Sequence, residues 1–205
     1  MNWREEIKYP LLRSASFVLR NLYRLGYLEL YPSRTITSTY YDTLDNYLLS
    51  KGRMDVFPRY YVRTRSYNSN PASLELKIRE GNQSTKVRSA DPGNEIWAFP
   101  DPVLFLLKEL GLSAPFPLLP KVTISYCRYY LEHPRYPDVV VTLDDELLCS
   151  PFPGIPDVVF SKGVLELKFN NQMGAMPPLP PGISCAQGHS KIQLAFNSVY
   201  RGWPG

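Results

Sequence analysis

The sequence has few of the residues that build disulfides, transition-metal clusters and membrane spans. It contains two histidines and three cysteines (Cys127, Cys149 and Cys185), with no CxxC motif and no His-spaced pairing. These counts predict reduced thiols that serve in packing. The longest uninterrupted apolar stretch, Val103 to Leu107, is far shorter than the ~20 residues of a membrane span, and the N-terminal residues lack the apolar segment of a secretory signal. We therefore expect a cytoplasmic protein with no membrane segment of its own.

The chain also has little net charge, since 23 Lys and Arg residues stand against 19 Asp and Glu residues. A formal charge of +4 says little about partners, so the position of the charges matters more than their sum. With 44% hydrophobic residues, the chain falls in the globular class, and its 15 tyrosines suit strands better than helices. Without a tandem repeat or a clean boundary, we expect one domain over residues 1–205.

An alternation of apolar and charged residues is the strongest pattern present. It runs through Arg59–Tyr67, Ser73–Arg79 and Thr85–Arg88, and the period of two is typical of strands. One face carries Tyr60, Val62, Thr64, Leu74, Leu76, Ile78, Thr85 and Val87. The other face carries Tyr61, Arg63, Arg65, Glu75, Lys77, Arg79, Lys86 and Arg88. Six cations against one Glu differ from the mixed signs of an ordinary solvated face, so this face is predicted to bind an anion.

Further strands and helices complete the predicted fold. Strands are expected at Glu6–Tyr9, Thr35–Asp42, Lys121–Leu131, Val139–Leu148 and Gly163–Phe169, and helices at Pro10–Leu25, Val103–Leu110 and Ser190–Tyr200. The fold class is mainly β (α+β), an eight-stranded antiparallel tunnel barrel with a few peripheral helices. Such a barrel encloses only side chains or one slender ligand. If the charged faces point inward, the unpaired cations are expected to require a polyanion.

Nine short motifs carry a resemblance to a known family. In chain order they are Glu6–Tyr9, Ser38–Thr43, Tyr61–Arg65, Leu74–Lys77, Lys86–Arg88, Tyr126–Tyr130, Thr142–Asp144, Leu165–Lys168 and Ser190–Lys191. Their order resembles that of the VTC (vacuolar transporter chaperone) domain, one of the triphosphate tunnel metalloenzymes and a relative of the CYTH triphosphatases. The resemblance extends from about residue 4 to residue 200.

The resemblance implies a function and a set of site residues. It implies a barrel that binds a triphosphate or polyphosphate with a divalent metal (Mn²⁺ or Mg²⁺) and polymerises polyphosphate from a nucleoside triphosphate such as ATP. Lys8, Arg63, Arg65, Lys77, Lys86 and Lys168 would bind phosphate, and Arg128 and Lys191 would be catalytic. Glu166 would bind the metal, and Glu6 and Glu75 would either bind metal or orient neighbouring cations. Val140 stands where the family has an arginine, so one phosphate ligand is missing unless Arg135 reaches in.

Three functions remain open from the sequence. The first is an enzyme that transfers or hydrolyses terminal phosphoryl groups, as a polyphosphate polymerase or an inorganic triphosphatase. The second is a non-catalytic module that binds polyphosphate or tripolyphosphate, and the third is a nucleic-acid binder. Inward-facing cations leave no room for bases, so no nucleic-acid partner is expected; a membrane-protein partner stays open. Tyr40, Tyr41 and Tyr61 are interpreted as wall packing, Asp144 as a salt-bridge partner or a ligand, and His133 and His189 as solvent-exposed.

Overall fold

Nine strands and two helices make up the part of the chain that the structure describes. The computed structural model describes residues 3–49, 58–68, 70–88, 118–151, 157–160, 163–169, 175–184 and 190–199. The predicted helix at Val103–Leu110, Cys185 and His189 lie outside these residues. The elements are β1 (Arg4–Pro10), α1 (Ala15–Arg24), β2 (Leu28–Asp42), β3 (Arg59–Tyr67), β4 (Ser73–Glu80), β5 (Gln83–Arg88), β6 (Leu119–Glu132), β7 (Val139–Pro151), β8 (Val158–Val159), β9 (Val164–Phe169) and α2 (Lys191–Val199).

Eight of the strands form a closed antiparallel ring. Their order is β6-β2-β3-β4-β5-β1-β9-β7, and β7 pairs back with β6 to close the ring. The two-residue strand β8 adds to β7 outside the ring. The predicted eight-stranded antiparallel barrel is therefore confirmed, whereas β8 was not predicted because two residues carry no periodic pattern.

Two predicted boundaries differ from the observed ones for identifiable reasons. Strand β2 begins at Leu28 rather than Thr35, since register shifts between Glu29 and Arg34 interrupt its alternation. Helix α1 begins after Ser14, whose hydroxyl accepts a hydrogen bond of 3.3 Å from the Phe17 backbone N–H. Pro10, the predicted helix start, is instead the last residue of β1 and lies opposite Val164.

Two apolar clusters cover outer faces of the ring. Val18 and Leu22 of α1 pack with buried leucines of β7 and β9, including Leu143 and Leu165. A second cluster contains the outward residues of β3 and β4, Val62, Leu74, Leu76 and Ile78. Fully burying each such side chain contributes about 1.5–3 kcal/mol. The outer faces thus supply much of the hydrophobic stabilisation, and the inner face can be polar.

Helix α2 packs at the inner face instead. Ile192 and Phe196 lie in one buried cluster with Ile36, Ile124 and Tyr126. Ser190, Lys191 and Ile192 also line the barrel cavity. Helix α2 therefore brings Lys191 to the interior while its apolar residues fill space next to it.

Within the described ranges no helix is long and apolar enough to cross a membrane.

Asp42, in the Ser38–Thr43 motif, fixes the turn that follows β2. Its fully buried carboxylate accepts hydrogen bonds from the backbone N–H groups of Thr43, Leu48 and Leu49 at 2.7, 2.9 and 2.8 Å. These bonds satisfy donors that would otherwise be unpaired at the start of a helical turn. This motif residue therefore serves the fold.

Candidate functional site

A cavity of about 690 Å³ lies inside the ring, and most of its charged lining is cationic. The charged residues of the wall are Arg4, Glu6, Lys8, Arg63, Arg65, Lys77, Arg79, Lys86, Arg128, Asp138, Glu166, Lys168 and Lys191. They come from six strands, from α2 and from the β6–β7 connection. Every predicted phosphate-binding and catalytic residue is among them, together with Glu166 and Glu6. Of the predicted site residues, only Glu75 does not line the cavity, because its inward-pointing side chain is fully buried.

Strand alternation explains why these side chains meet. On β4, Glu75 and Lys77 point inward while Leu74 and Leu76 join the outer apolar cluster. On β9, Glu166 and Lys168 face inward in the same way. The polar interior and apolar exterior invert the arrangement of most small barrels. The charged faces point inward, as the pattern predicted.

Glu6 and Glu166 form a first ion cluster across β1 and β9. The Lys8 ammonium lies 3.1 Å from Glu6 Oε2 and 3.3 Å from Glu166 Oε1, and so joins the two carboxylates. Lys77 contacts Glu6 at 2.8 Å, and Lys168 contacts Glu166 at 3.1 Å. Burial works to raise the pKa of Glu6 and of Glu166, but the surrounding lysines hold both well below their usual values. Both carboxylates are therefore ionised at neutral pH.

Glu75 organises a second cluster of cations. Arg63 donates to Glu75 Oε2 from Nη2 at 2.7 Å, and Arg88 donates to Oε1 at 2.7 Å. Arg63 Nη1 also donates to the Tyr40 hydroxyl at 3.0 Å. Burial works to raise the pKa of Glu75, but Arg63 and Arg65 lower it to about 2. Glu75 does not line the cavity, and its carboxylate holds Arg63 and Arg88.

Asp144 anchors a third cluster beside α2. The Arg128 guanidinium donates to both Asp144 oxygens, at 2.5 and 2.7 Å, and Lys191 forms an ion pair with the same carboxylate. Asp144 is fully buried, so it is a salt-bridge partner that fixes Arg128 and Lys191 side by side. Its negative charge also offsets the unfavourable position of a cation at a helix N-terminus.

Four carboxylates, of which Glu75, Asp144 and Glu166 are buried and Glu6 is partly buried, correct the expectation that the interior cations are unpaired. Eight predicted Lys and Arg side chains face Glu6, Glu75, Asp144 and Glu166, which compensate half of that charge. The barrel can thus hold its cations without a ligand. The uncompensated half still gives the cavity a strong positive potential.

The comparisons with known proteins agree with the sequence motifs over the first half of the chain. The family model of the VTC domain matches residues 5–104. The resemblance to the VTC domain is thereby confirmed over these residues. They contain β1 to β5 and hence Glu6, Lys8, Arg63, Arg65, Glu75, Lys77 and Lys86. The search of curated proteins found no match.

Solved structures similar to this chain have low sequence identity. A proposed adenylate cyclase from Bacillus halodurans is 17% identical, with a TM-score of 0.49, and the match covers 84% of this chain and 83% of that one. A proposed adenylyl cyclase from Hippeastrum, described as having a dominant triphosphatase activity, is 20% identical, with a TM-score of 0.46 and coverages of 82% and 79%. A third, from Vibrio parahaemolyticus, is 12% identical, with a TM-score of 0.45 and coverages of 84% and 79%. All three TM-scores lie below 0.5.

Val140, the position that departs from the VTC pattern, lines the cavity, and no side chain of the nearby turn takes the place of the missing arginine. Val140 faces inward on β7, opposite Lys168. Arg135 is exposed in the β6–β7 connection and is not part of the cavity wall. Arg4 and Arg79 do line the cavity, although Arg4 was not singled out from the sequence. Its spacing of two from Glu6 is the signal that could have identified it.

Tyr40 and Tyr61 line the cavity, beyond the packing role expected of them. Tyr40 lines the cavity, where burial works to raise its pKa but Arg63 and Arg65 lower it to about 8. Tyr61 also lines the cavity, and its buried hydroxyl has no hydrogen-bond partner among the described residues. An unpaired buried hydroxyl costs free energy unless a ligand satisfies it. The Tyr61 hydroxyl is therefore an unsatisfied donor beside the cavity wall.

His133 is not solvent-exposed, and the expectation that it would be was wrong. Its ring is buried, with Nε2 3.1 Å from the Leu25 carbonyl oxygen and the ring edge-on to Tyr27 at 5.0 Å. This packing ties the β6–β7 connection to the end of α1. His133 thus has a structural role outside the cavity.

Proposed function

We propose that this chain binds a triphosphate or polyphosphate in the barrel cavity and, with a divalent metal, transfers or hydrolyses its terminal phosphoryl group. One observation carries the proposal. Eight Lys and Arg side chains from six strands and a helix converge on one cavity, and Glu6, Glu75, Asp144 and Glu166 compensate only half of their charge. A polyanion that is long and slender matches both the charge and the shape of such a space.

The cationic side chains divide into two kinds of phosphate ligand. Arg63, Arg65 and Arg128 have planar guanidinium groups that suit non-bridging phosphate oxygens, and Glu75 and Asp144 fix the orientation of Arg63 and Arg128. Lysine ammonium groups act as compact charges that can follow a moving phosphoryl group. Phosphoryl transfer depends mainly on such positioning and charge neutralisation.

Arg128 and Lys191 are proposed as the catalytic pair. Asp144 holds both, and both lie about 5 Å from the ring of Tyr126, at 5.2 and 5.1 Å. Their positive charges would stabilise the negative charge on the equatorial oxygens as the bond to the leaving group breaks. Because Asp144 is buried, the pair is oriented before substrate arrives.

Glu166 and Glu6 fit a divalent metal, whereas Glu75 does not. Among the described residues, no group of three or more His, Cys, Asp or Glu side chains is arranged to hold a metal, so phosphate oxygens and water would complete the coordination. Glu166 suits this role, because its contacts to Lys8, Lys168 and Arg128 are long, at 3.1–3.5 Å, and Glu6 lies across Lys8 from it. Bound Mg²⁺ or Mn²⁺ would neutralise charge on the phosphate oxygens.

Metal binding can be tested without measuring activity. Mn²⁺ binding in the presence of tripolyphosphate should weaken at least tenfold in Glu166→Gln and remain unchanged in Glu5→Gln, an outward neighbour of Glu6. Electron paramagnetic resonance of free Mn²⁺ measures both. Equal affinity in the two variants would remove Glu166 from the metal site.

A non-catalytic binding module is the second candidate, and Val140 is the observation that favours it. The wall lacks the arginine expected at that position, which would reduce transition-state stabilisation more than ground-state binding. Incubation with ATP and Mn²⁺, followed by gel analysis and assay of free phosphate, separates the candidates. Polyphosphate chains would indicate a polymerase, and free phosphate would indicate a triphosphatase. Neither product, together with tight tripolyphosphate binding, would leave the binding module.

The control for this assay is an exchange outside the cavity. Arg63→Met should abolish turnover and weaken tripolyphosphate binding, whereas Arg20→Met, on the exposed face of α1, should alter neither. Equal behaviour of the two variants would contradict the proposed site. A cytoplasmic location and recruitment by a membrane protein remain proposals that localisation in cells can test.

A further inference from the structure

Three tyrosines line the cavity at a more exposed position than Arg65 and Arg128. Tyr67 follows Arg65 by two residues on β3, and Tyr130 follows Arg128 by two residues on β6, so each is the next inward residue along its strand. Tyr31, the cross-strand neighbour of Tyr130, also lines the cavity and is 51% exposed. We name Tyr31, Tyr67 and Tyr130 the tyrosine rim.

The rings of the rim lie close to one another and to an arginine. Tyr31 and Tyr130 meet edge-to-face with ring centres 5.8 Å apart. The Arg34 guanidinium lies 5.8 Å from the centre of Tyr31 and 5.7 Å from that of Tyr130. Tyr67 lies near enough to influence the pKa of Tyr130, which burial raises. Aromatic faces and a guanidinium plane therefore gather at one place.

This chemistry matches a flat aromatic group attached to a phosphate chain. Rings and guanidinium planes stack on nucleobases, and they do so with little dependence on the base because every base has a π face. Two residues along a strand span about 7 Å, which leaves room for a ribose between the rim and the arginines. An inorganic polyphosphate would make no use of these rings.

We propose that the tyrosine rim binds the nucleobase of a nucleoside triphosphate whose phosphates occupy the cavity. The inference rests on the proposed function, because the cavity must first bind the phosphates. The affinity of a nucleotide should depend on the tyrosine rim, whereas the affinity of inorganic polyphosphate should not. Since stacking is tolerant of base identity, ATP and GTP should bind with similar affinity.

The experiment compares two ligands on four forms of the protein. Dissociation constants for ATP and for inorganic tripolyphosphate are measured by calorimetry for wild type, Tyr130→Leu, Tyr130→Phe and Tyr129→Leu. Tyr130→Leu should weaken ATP binding about tenfold and leave tripolyphosphate binding unchanged. Tyr130→Phe should keep both affinities because the stacking face remains. Tyr129→Leu is the matched control, since Tyr129 packs on the outer cluster next to α1.

The outcomes separate this inference from the proposed function. Equal losses for ATP and tripolyphosphate in Tyr130→Leu, or no loss for either, would overturn the tyrosine rim as a base site while phosphate binding stands. Failure of the wild type to bind either ligand would overturn both proposals. Circular dichroism and melting temperature verify that each variant is folded, and the single variant Tyr67→Leu, at another residue of the tyrosine rim, replaces Tyr130→Leu if that protein does not fold.

Discussion

At the scale of single residues, the proposed functional cations depend on buried carboxylates whose ion-pair partners the sequence did not identify. Asp144 lies opposite Arg128 on the adjacent strand, and Glu75 lies opposite Arg63 in the same way. The charged face could be predicted from alternation. The pairing could not, because it depends on the register between neighbouring strands, which alternation within each strand does not fix.

Asp144→Asn should destabilise the protein and increase the rise in melting temperature that tripolyphosphate produces. The exchange leaves Arg128 and Lys191 without their counterion, and breaking a buried pair in this way costs about 3–5 kcal/mol of unfolding free energy. Tripolyphosphate should restore part of that loss by supplying the missing negative charge. Thermal unfolding with and without ligand tests this, with Asp145→Asn as control. An unchanged melting temperature, or equal ligand-induced shifts in both variants, would contradict it.

Tyr61→Phe should separate ligand binding from stability. Tyr61 lines the cavity, and its buried hydroxyl has no partner among the described residues, so removal of the hydroxyl leaves no protein group unpaired. We expect an unchanged melting temperature and a several-fold weaker affinity for tripolyphosphate. Calorimetric titration measures the affinity. If tripolyphosphate binds the variant as tightly as wild type, the hydroxyl does not contact phosphate.

Anion binding should weaken as the pH rises through about 8. Burial and neighbouring cations lower the pKa values of Lys77, Lys86 and Lys168 to about 8, so these lysines are charged below that pH and lose their charge above it. Sulfate is a suitable probe because its own charge is constant over this range. Its affinity, measured without metal, should fall between about pH 7 and about pH 9. A flat profile would mean that these lysines stay charged.

At the scale of elements, period-two patterns predicted which residues face the interior but not where every strand ends. Bulges hid the first residues of β2, and the shortness of β8 left it without a pattern. Helix α1 begins after Ser14 rather than at Pro10, because the pairing of β1 with β9 extends through Pro10. Tertiary pairing thus decided boundaries that local signals suggested differently.

Gly163→Ala should disrupt the contact between β9 and β7. A Cβ at this position would overlap the backbone oxygen of Asp144, and neither backbone can move without loss of the surrounding strand pairing. We expect a loss of about 1–3 kcal/mol in unfolding free energy, together with weaker tripolyphosphate binding as Asp144 shifts. Gly81→Ala tests a positive-φ turn with open space around it and should affect binding little. Wild-type stability of Gly163→Ala would contradict this packing.

At the scale of the whole molecule, the barrel separates the hydrophobic stabilisation from the polar interior. Apolar side chains of the strands cover the outside of the ring, and α1 packs on one of these surfaces. The inside then accommodates a cationic cavity that is half compensated by four carboxylates. The mild net charge of the chain therefore hides a strong local potential, which only the strand pattern revealed.

A crystal structure of the protein with tripolyphosphate and Mn²⁺ tests this account most directly. It predicts that the phosphate chain lies inside the ring, in contact with Arg63, Arg65, Arg128 and Lys191, with Mn²⁺ beside Glu166. Tripolyphosphate bound only on the outer surface, with the interior ion pairs unchanged, would contradict it.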